Sequence, residues 1–277
     1  MLTQNRQFQW FHEPSYLYPC VPAYAASLLQ QDGHEVAWCD AHAEHKSWAQ
    51  FAKLLDDFRP DVILMETKSP VVRQYWALID DIKALAPHAK CVLMGDHVTG
   101  NPRESMEQSN VDYAFVGGDW DFLAQNLCNH LEKGDPLAGG VWHKENGPAE
   151  STGPYVDLGD LDALPFIDRD LTNAHLYFEK WKLRLPFLWT MAGRDCPYGR
   201  CTFCSWTVTY PKFRTQSPER LADEMEHLIR HYGARNIFDD TGALPTGNWL
   251  TRLCNEMIGR KINEQVVFDC NFRFDYF

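Results

Sequence analysis

The chain of 277 residues carries a formal net charge of −12 and a pI near 5.3, which excludes a non-specific hold on nucleic acid or an anionic membrane through overall charge. Hydrophobic residues make up 45% and charged ones 23%, enough apolar content for packed cores and too little charge for a disordered chain. No apolar run approaches the roughly 18 residues needed to cross a bilayer, and residues 1–6 are polar with no apolar stretch behind them, so a cytoplasmic protein is expected.

In chain order, strands are predicted over residues 34–41, 61–67, 90–95 and 112–117. Three of these are nearly continuous in apolar residues, as suits a parallel sheet covered on both faces. Between them lie helical patterns: Trp48, Phe51, Leu55 and Phe58 share one face, as do Val72, Tyr75, Trp76, Ile79 and Ile82. Gly33 stands where a helix C-terminal glycine would, and Pro60 and Pro87 mark helix-to-strand junctions. Alternation of this kind predicts a doubly wound, Rossmann-like α/β domain over residues 1–135. Turn-forming pairs crowd residues 136–180, which are expected to be a linker. A second alternation occupies 181–277: a strand at 185–191, a helix capped by Ser217 with Pro218 at its first position, a strand at 236–241, a helix carrying Trp249, Leu250, Leu253 and Met257, and a strand at 266–274.

Nine cysteines in a chain without an export signal do not make a disulfide scaffold. Cys20, Cys39, Cys91, Cys128, Cys254 and Cys270 are isolated and read as small buried hydrophobes. The other three form a C-x4-C-x2-C group, Cys196, Cys201 and Cys204, around a tight Pro-Tyr-Gly curve. Three thiolates from one loop suit three irons of a cubane cluster, leaving the fourth iron open. A zinc site is the alternative, but it wants four ligands, and the nearest further donors, Asp195, His175 and His227, stand at no recognisable spacing.

This segment, with Phe203 before the last cysteine, resembles the cluster loop of the radical SAM superfamily, with one residue more than the usual three between the first two cysteines. The resemblance implies a partial (β/α)6 barrel, of which the chain holds the first half, with its chemistry at the C-terminal strand ends. It implies a [4Fe–4S] cluster on Cys196, Cys201 and Cys204, which binds S-adenosylmethionine (SAM) and cleaves it with one electron. Phe203 would lie near the adenine, with Asp239, Asp240 and Thr241 at the end of the second strand close to SAM. Asn271 and Arg273 alternate with Asp275 along the third strand and would share a face toward the barrel lumen. Taken as a solvated turn, the Asp239–Asp240 pair would instead have no ligand.

The N-terminal domain is similar to the cobalamin-binding domain of B12-dependent radical SAM proteins. The likeness rests on Pro-Ala-Tyr-Ala-Ala-Ser-Leu-Leu-Gln-Gln-Asp-Gly-His-Glu-Val at 22–36, on Gly-Asp-His-Val-Thr-Gly at 95–100, and on residues 112–118. Ligands of such sheets bind at carboxyl strand ends, which points to Thr67, Ser69, Gly95, His97, Val98, Thr99, Gly117 and Gly118 as cobalamin contacts, with the glycines admitting a flat macrocycle. The Asp-x-His-x-x-Gly motif of other cobalamin proteins is absent, since Asp96 and His97 are adjacent. The resemblance implies a methyltransferase or cyclase acting on an unactivated small-molecule substrate, fed by a flavodoxin- or ferredoxin-type reductant. Two other readings stand beside it: a radical SAM enzyme without B12, as in methylthiotransferases, and a non-catalytic zinc-bearing α/β module.

Overall fold

The structure, a computed structural model, describes residues 16–145, 147–156, 159–210 and 212–274. The chain divides into two compact units, one spanning 21–158 and the other 159–277 together with the stretch that ends at Cys20. The division falls inside the segment predicted as a linker.

The first unit runs α1 (Cys20–Gln31), α2 (Trp48–Phe58), β1 (Val62–Glu66), α3 (Val72–Leu85), β2 (Lys90–Met94), α4 (Asp96–Gly100), α5 (Pro102–Gln108), β3 (Tyr113–Phe115), α6 (Trp120–Lys133), β4 (Val141–His143) and β5 (Glu150–Ser151). Strands β1, β2 and β3 pair in parallel in that order, and β4 and β5 extend the sheet antiparallel. Local chemistry explains the ends. Ser47 and Gln50 close a capping box on α2, and Gly134 ends α6 in the left-handed region at φ 75°. Most of the apolar stripes bury as predicted: Phe51, Leu55, Val72, Tyr75, Trp76, Ile79 and Ile82 pack with Ile63, Met65, Cys91 and Leu93 in one core, while Trp48 at the start of α2 stays exposed and Phe58 at its end is half-buried.

Two expectations change. Residues 136–156 are not plain linker, because Val141 and Trp142 pair against β3 and bury an apolar edge. The predicted strand at 34–41 forms no ladder. Among the described residues β1 is an edge strand, and a cavity of about 260 Å³ lined by Val36, Trp38, Val62, Ile63 and Leu64 lies beside it. An extended segment without a neighbour in hydrogen-bonding reach is not a strand.

The second unit runs β6 (Phe187–Thr190), β7 (Gly193–Arg194), α7 (Trp206–Thr209), β8 (Arg214–Thr215), α8 (Pro218–Tyr232), β9 (Asn236–Asp239), α9 (Asn248–Gly259) and β10 (Val267–Cys270). The parallel sheet has the order β10-β9-β6, with Phe187 and Val267 both opposite Asn236. Strand–helix–strand–helix–strand in parallel is the beginning of a β/α barrel. Helix α8 starts as predicted, Ser217 Oγ accepting from Arg220 N at 3.2 Å and Pro218 in the first turn. It buries Leu221, Met225 and Leu228, each worth about 1.5–3 kcal/mol of apolar burial.

Residues 159–180 pack onto this barrel half. Arg169, buried, donates to the Trp189 carbonyl at 2.6 Å and to Glu224 at 3.3 Å, with its guanidinium 4.8 Å from the Tyr18 ring centre. No helix among the described residues is long and apolar enough to cross a membrane. Cys20, Cys39 and Cys91 are buried as predicted, but Cys128 and Cys270 are half-buried and Cys254 is exposed on α9. Burial pushes the Cys91 and Cys128 thiols up to about 11, so they are unreactive neutral groups.

Candidate functional site

The three clustered cysteines lie on the loop that leaves the barrel half after β6 and β7, at the carboxyl side of the sheet. What shapes this loop is a buried bracket between the ends of β6 and β9. Asp239, with no solvent exposure, accepts from Thr190 Oγ1 and Ala192 N, both at 2.8 Å, and from Thr241 N at 3.1 Å. Thr241 Oγ1 then accepts from Gly193 N at 2.8 Å. Burial outweighs these hydrogen bonds and holds the Asp239 carboxyl above the usual carboxylate range. Asp239 and Thr241, expected beside SAM, thus have their polar atoms engaged in shaping the loop. Asp240 is half-buried, and its N–H is spent on the Thr190 carbonyl at 2.9 Å.

Gly242 completes the seat. A Cβ there would stand 3.0 Å from both the Asp195 carbonyl and the Trp206 ring and 3.1 Å from Cys196 Cβ. The signal for this close approach is the glycine that directly follows Thr241.

Beyond the bracket the loop opens. Cys196, Cys201 and Cys204 are free and half-buried. Cys204 N donates to Cys201 O at 3.2 Å, and Thr207 Oγ1 to Cys204 O at 2.9 Å, so the last two cysteines share a turn that leads into α7. Phe203 is 90% exposed, a large apolar side chain left in water. Among the described residues no three His, Cys, Asp or Glu side chains form a ready metal site. The donor set itself fits an iron–sulfur cluster: three unblocked thiols on one loop.

Asp195 stands immediately before Cys196 at φ 75°, a left-handed conformation for a non-glycine residue. It is buried, and its Oδ1 has no hydrogen-bond partner. Asp195→Gly is therefore expected to stabilise the apo chain by about 1 kcal/mol, by removing left-handed strain and an unmatched carboxylate oxygen. An unchanged or lowered urea midpoint would contradict this.

The third barrel strand differs from expectation. β10 stops at Cys270, so Asn271 and Arg273 lie on the loop beyond it and share no strand face. Asn271 is exposed and donates through Nδ2 to the Thr241 carbonyl at 3.0 Å. Arg273 is half-buried over the Tyr198 ring. Asp275 lies outside the described residues.

In the first unit the residues predicted to meet cobalamin gather at the carboxyl ends of β1, β2 and β3. Thr99 Oγ1 donates to Gly95 O at 2.9 Å and accepts from Gly117 N at 3.1 Å, tying two of these loops together. Thr67 N reaches the Met94 carbonyl at 2.8 Å, while its hydroxyl is buried without a partner. Ser69 is exposed. His97 is held by Glu104 at 3.2 Å and edge-on to Trp76. Val98 is fully buried in the core and offers no surface to a ligand.

The glycines serve another purpose than the one expected. At Gly95 a Cβ would stand 1.9 Å from the Thr67 carbonyl oxygen, and at Gly117 2.6 Å from the Tyr155 ring. Their missing side chains make room for the protein itself. Gly118 is buried beside Gly117.

Residues 15–124 match the family model of the B12 binding domain. An uncharacterized methyltransferase of Pyrococcus horikoshii is 30% identical over 80% of this chain and 48% of its own length. The anaerobic magnesium-protoporphyrin IX monomethyl ester cyclase of Cereibacter sphaeroides is 25% identical over 92% of this chain and 42% of its own. The chain thus spans about half the length of the curated relatives it matches. Among solved structures, the cobalamin-dependent SAM radical enzyme OxsB, with aqua-cobalamin and SAM bound, superposes with a TM-score of 0.75 at 17% identity, over 96% of this chain and 37% of that one. The radical SAM methyltransferase TsrM from Kitasatospora setae, with cobalamin and a [4Fe–4S] cluster bound, gives 0.66 at 16% identity, over 95% and 51%. The resemblance read from the sequence is borne out at the level of fold: an α/β domain matching the B12-binding family model is followed by a β/α unit with the fold of the cobalamin-dependent SAM radical enzymes.

Proposed function

We propose that this chain, which pairs a B12-binding α/β domain with the fold of cobalamin-dependent radical SAM enzymes, is the cofactor-bearing part of an enzyme that methylates or rearranges an unactivated small molecule. Cys196, Cys201 and Cys204 would hold a [4Fe–4S] cluster. The observation that carries this is a loop with three free thiols and an exposed Phe203, set on a buried bracket at the end of a first barrel strand. When bound, such a cluster would supply one-electron reduction of SAM, with an external flavodoxin- or ferredoxin-type protein as the source of the electron.

The chain's own residues do the rest. Asp239 and Thr241 fix where the loop leaves the sheet, Gly242 lets it lie close, and Phe203 presents a flat face to an adenine. In the first unit the buried, partnerless Thr67 hydroxyl supports cobalamin binding at the strand-end loops. His97, oriented by Glu104, stands on the same loop.

Anaerobic reconstitution of the full chain with iron and sulfide tests the cluster. A brown protein that gives an EPR signal on reduction, and that Cys201→Ala abolishes, is the expected result. Restoration of a stable fold by zinc alone, with no iron uptake, would sink it. Gel filtration with hydroxocobalamin tests the first unit separately. A retained pink colour is expected, and its loss would leave the reading without B12.

A further inference from the structure

The extra residue between Cys196 and Cys201 lengthens the part of the loop that must present two thiols together. Gly199, at φ 56°, and exposed Pro197 and Arg200 give this stretch little packing of its own. A cation–π contact holds its middle. The guanidinium carbon of Arg273 lies 3.6 Å from the centre of the Tyr198 ring, midway between the two cysteines. Arg273 is itself placed by the loop after β10. Two residues earlier Asn271 Nδ2 donates to the Thr241 carbonyl at 3.0 Å, and the Asn271 carbonyl accepts from Leu244 N at 2.9 Å. The end of the third strand is thereby fastened to the same turn that fixes Gly193, and it reaches back over the cysteine loop.

We propose that Arg273 is a positioning residue for the cluster loop, clamping the long Cys196–Cys201 segment through the face of Tyr198 so that both thiols meet one cluster. A planar guanidinium stacks on an aromatic ring where an ammonium sits as a point charge, so arginine is the residue suited to the role. Both partners are half-buried, which leaves the attraction only partly screened. The inference rests on the reading that Cys196, Cys201 and Cys204 hold a cluster. It adds an electrostatic consequence, because a cation beside this loop favours the more negative, reduced state of such a cluster.

The test compares the full wild-type chain with Arg273→Gln, Arg273→Lys, Tyr198→Leu and the Arg273→Gln/Tyr198→Leu double variant. In the apo chain, alkylation of Cys196 and Cys201 is timed by mass spectrometry. In the reconstituted chain, cluster loss to a chelator and the midpoint potential are followed. Arg273→Gln and Tyr198→Leu should each speed alkylation and cluster loss about three- to tenfold, the span of a partly exposed cation–π contact. The double variant should be no worse than the poorer single one, since both remove one interaction. Arg273→Lys should recover part of the loss. The midpoint should move to more negative values in Arg273→Gln but stay in Tyr198→Leu and Arg273→Lys. Wild-type alkylation rates in Arg273→Gln, or effects that multiply in the double variant, would overturn the clamp. Failure of the wild-type chain to take up iron would instead overturn the cluster reading, with the alkylation rates still deciding whether the clamp exists.

Discussion

Replacing Gly95 with alanine is expected to cost the first unit about 3–5 kcal/mol, from strain and steric overlap together. Gly95 adopts φ 128° and ψ −178°, a region essentially closed to residues with a side chain. Its Cβ would also fall 1.9 Å from the Thr67 carbonyl oxygen. That oxygen belongs to the backbone just past β1 and cannot swing aside like a side chain. Domains of this size are stable by about 5–15 kcal/mol, so the variant should lose much of its margin. The damage is local as well, because Thr99 is bonded to Gly95 O and Gly117 N. Urea unfolding followed by circular dichroism should show an early transition, with hydroxocobalamin no longer retained. A wild-type midpoint would mean that Gly95 does not approach Thr67 in this way.

Asp239→Ala should be nearly as severe in the second unit, at about 3 kcal/mol or more. Hydrogen bonds to a charged group are worth about 1.5–3 kcal/mol each, and this carboxylate accepts three. The cost of burying the charge offsets part of that sum, as the raised pKa shows. What remains is two backbone N–H groups and a hydroxyl left without an acceptor in a dry site. The ends of β6 and β9 would lose their tie, and iron uptake by the cysteine loop should fall with stability. Asp239→Asn should be intermediate, since an amide offers one oxygen and turns an N–H toward a donor. Stability has a matching pH signature. With its folded pKa raised, Asp239 contributes most below the ordinary carboxylate range, and that contribution is lost as pH rises through the folded pKa. The asparagine variant should lack this decline. Equal iron content and equal denaturation midpoints in wild type and Asp239→Ala would refute the bracket.

Features written in neighbouring residues were legible in the sequence alone. The apolar run at 91–94 forms a central parallel strand whose two faces are both covered, and the run at 62–65 forms the parallel strand beside it; such patterns need no partner to be seen. Ser217 and Pro218 start α8 for reasons confined to one helical turn. The three cysteines sit within nine positions of one another, so covalent connectivity alone keeps them on one loop. The resemblance to B12-binding radical SAM proteins stood on such local stretches, and so it survived.

Tertiary structure decided whatever depends on which distant groups meet. The run at 34–41 has strand chemistry, but a strand exists only beside another, and among the described residues none pairs with it. Residues 141–143 look like linker until β3 supplies an edge. Gly95 and Gly117 resemble openings for a ligand until Thr67 and Tyr155 are seen to fill the space. The family resemblance sets Asp239 close to SAM and Arg273 on a face toward the barrel lumen. In the fold one is sealed inside a bracket and the other lies across Tyr198. The sequence by itself determined the α/β fold class, the parallel strands 62–66, 90–94 and 236–239 and the helices between them, and the resemblance to B12-binding proteins. The packing decided which polar groups are sealed and which stay open to a ligand, because burial and hydrogen bonding are settled between residues tens of positions apart.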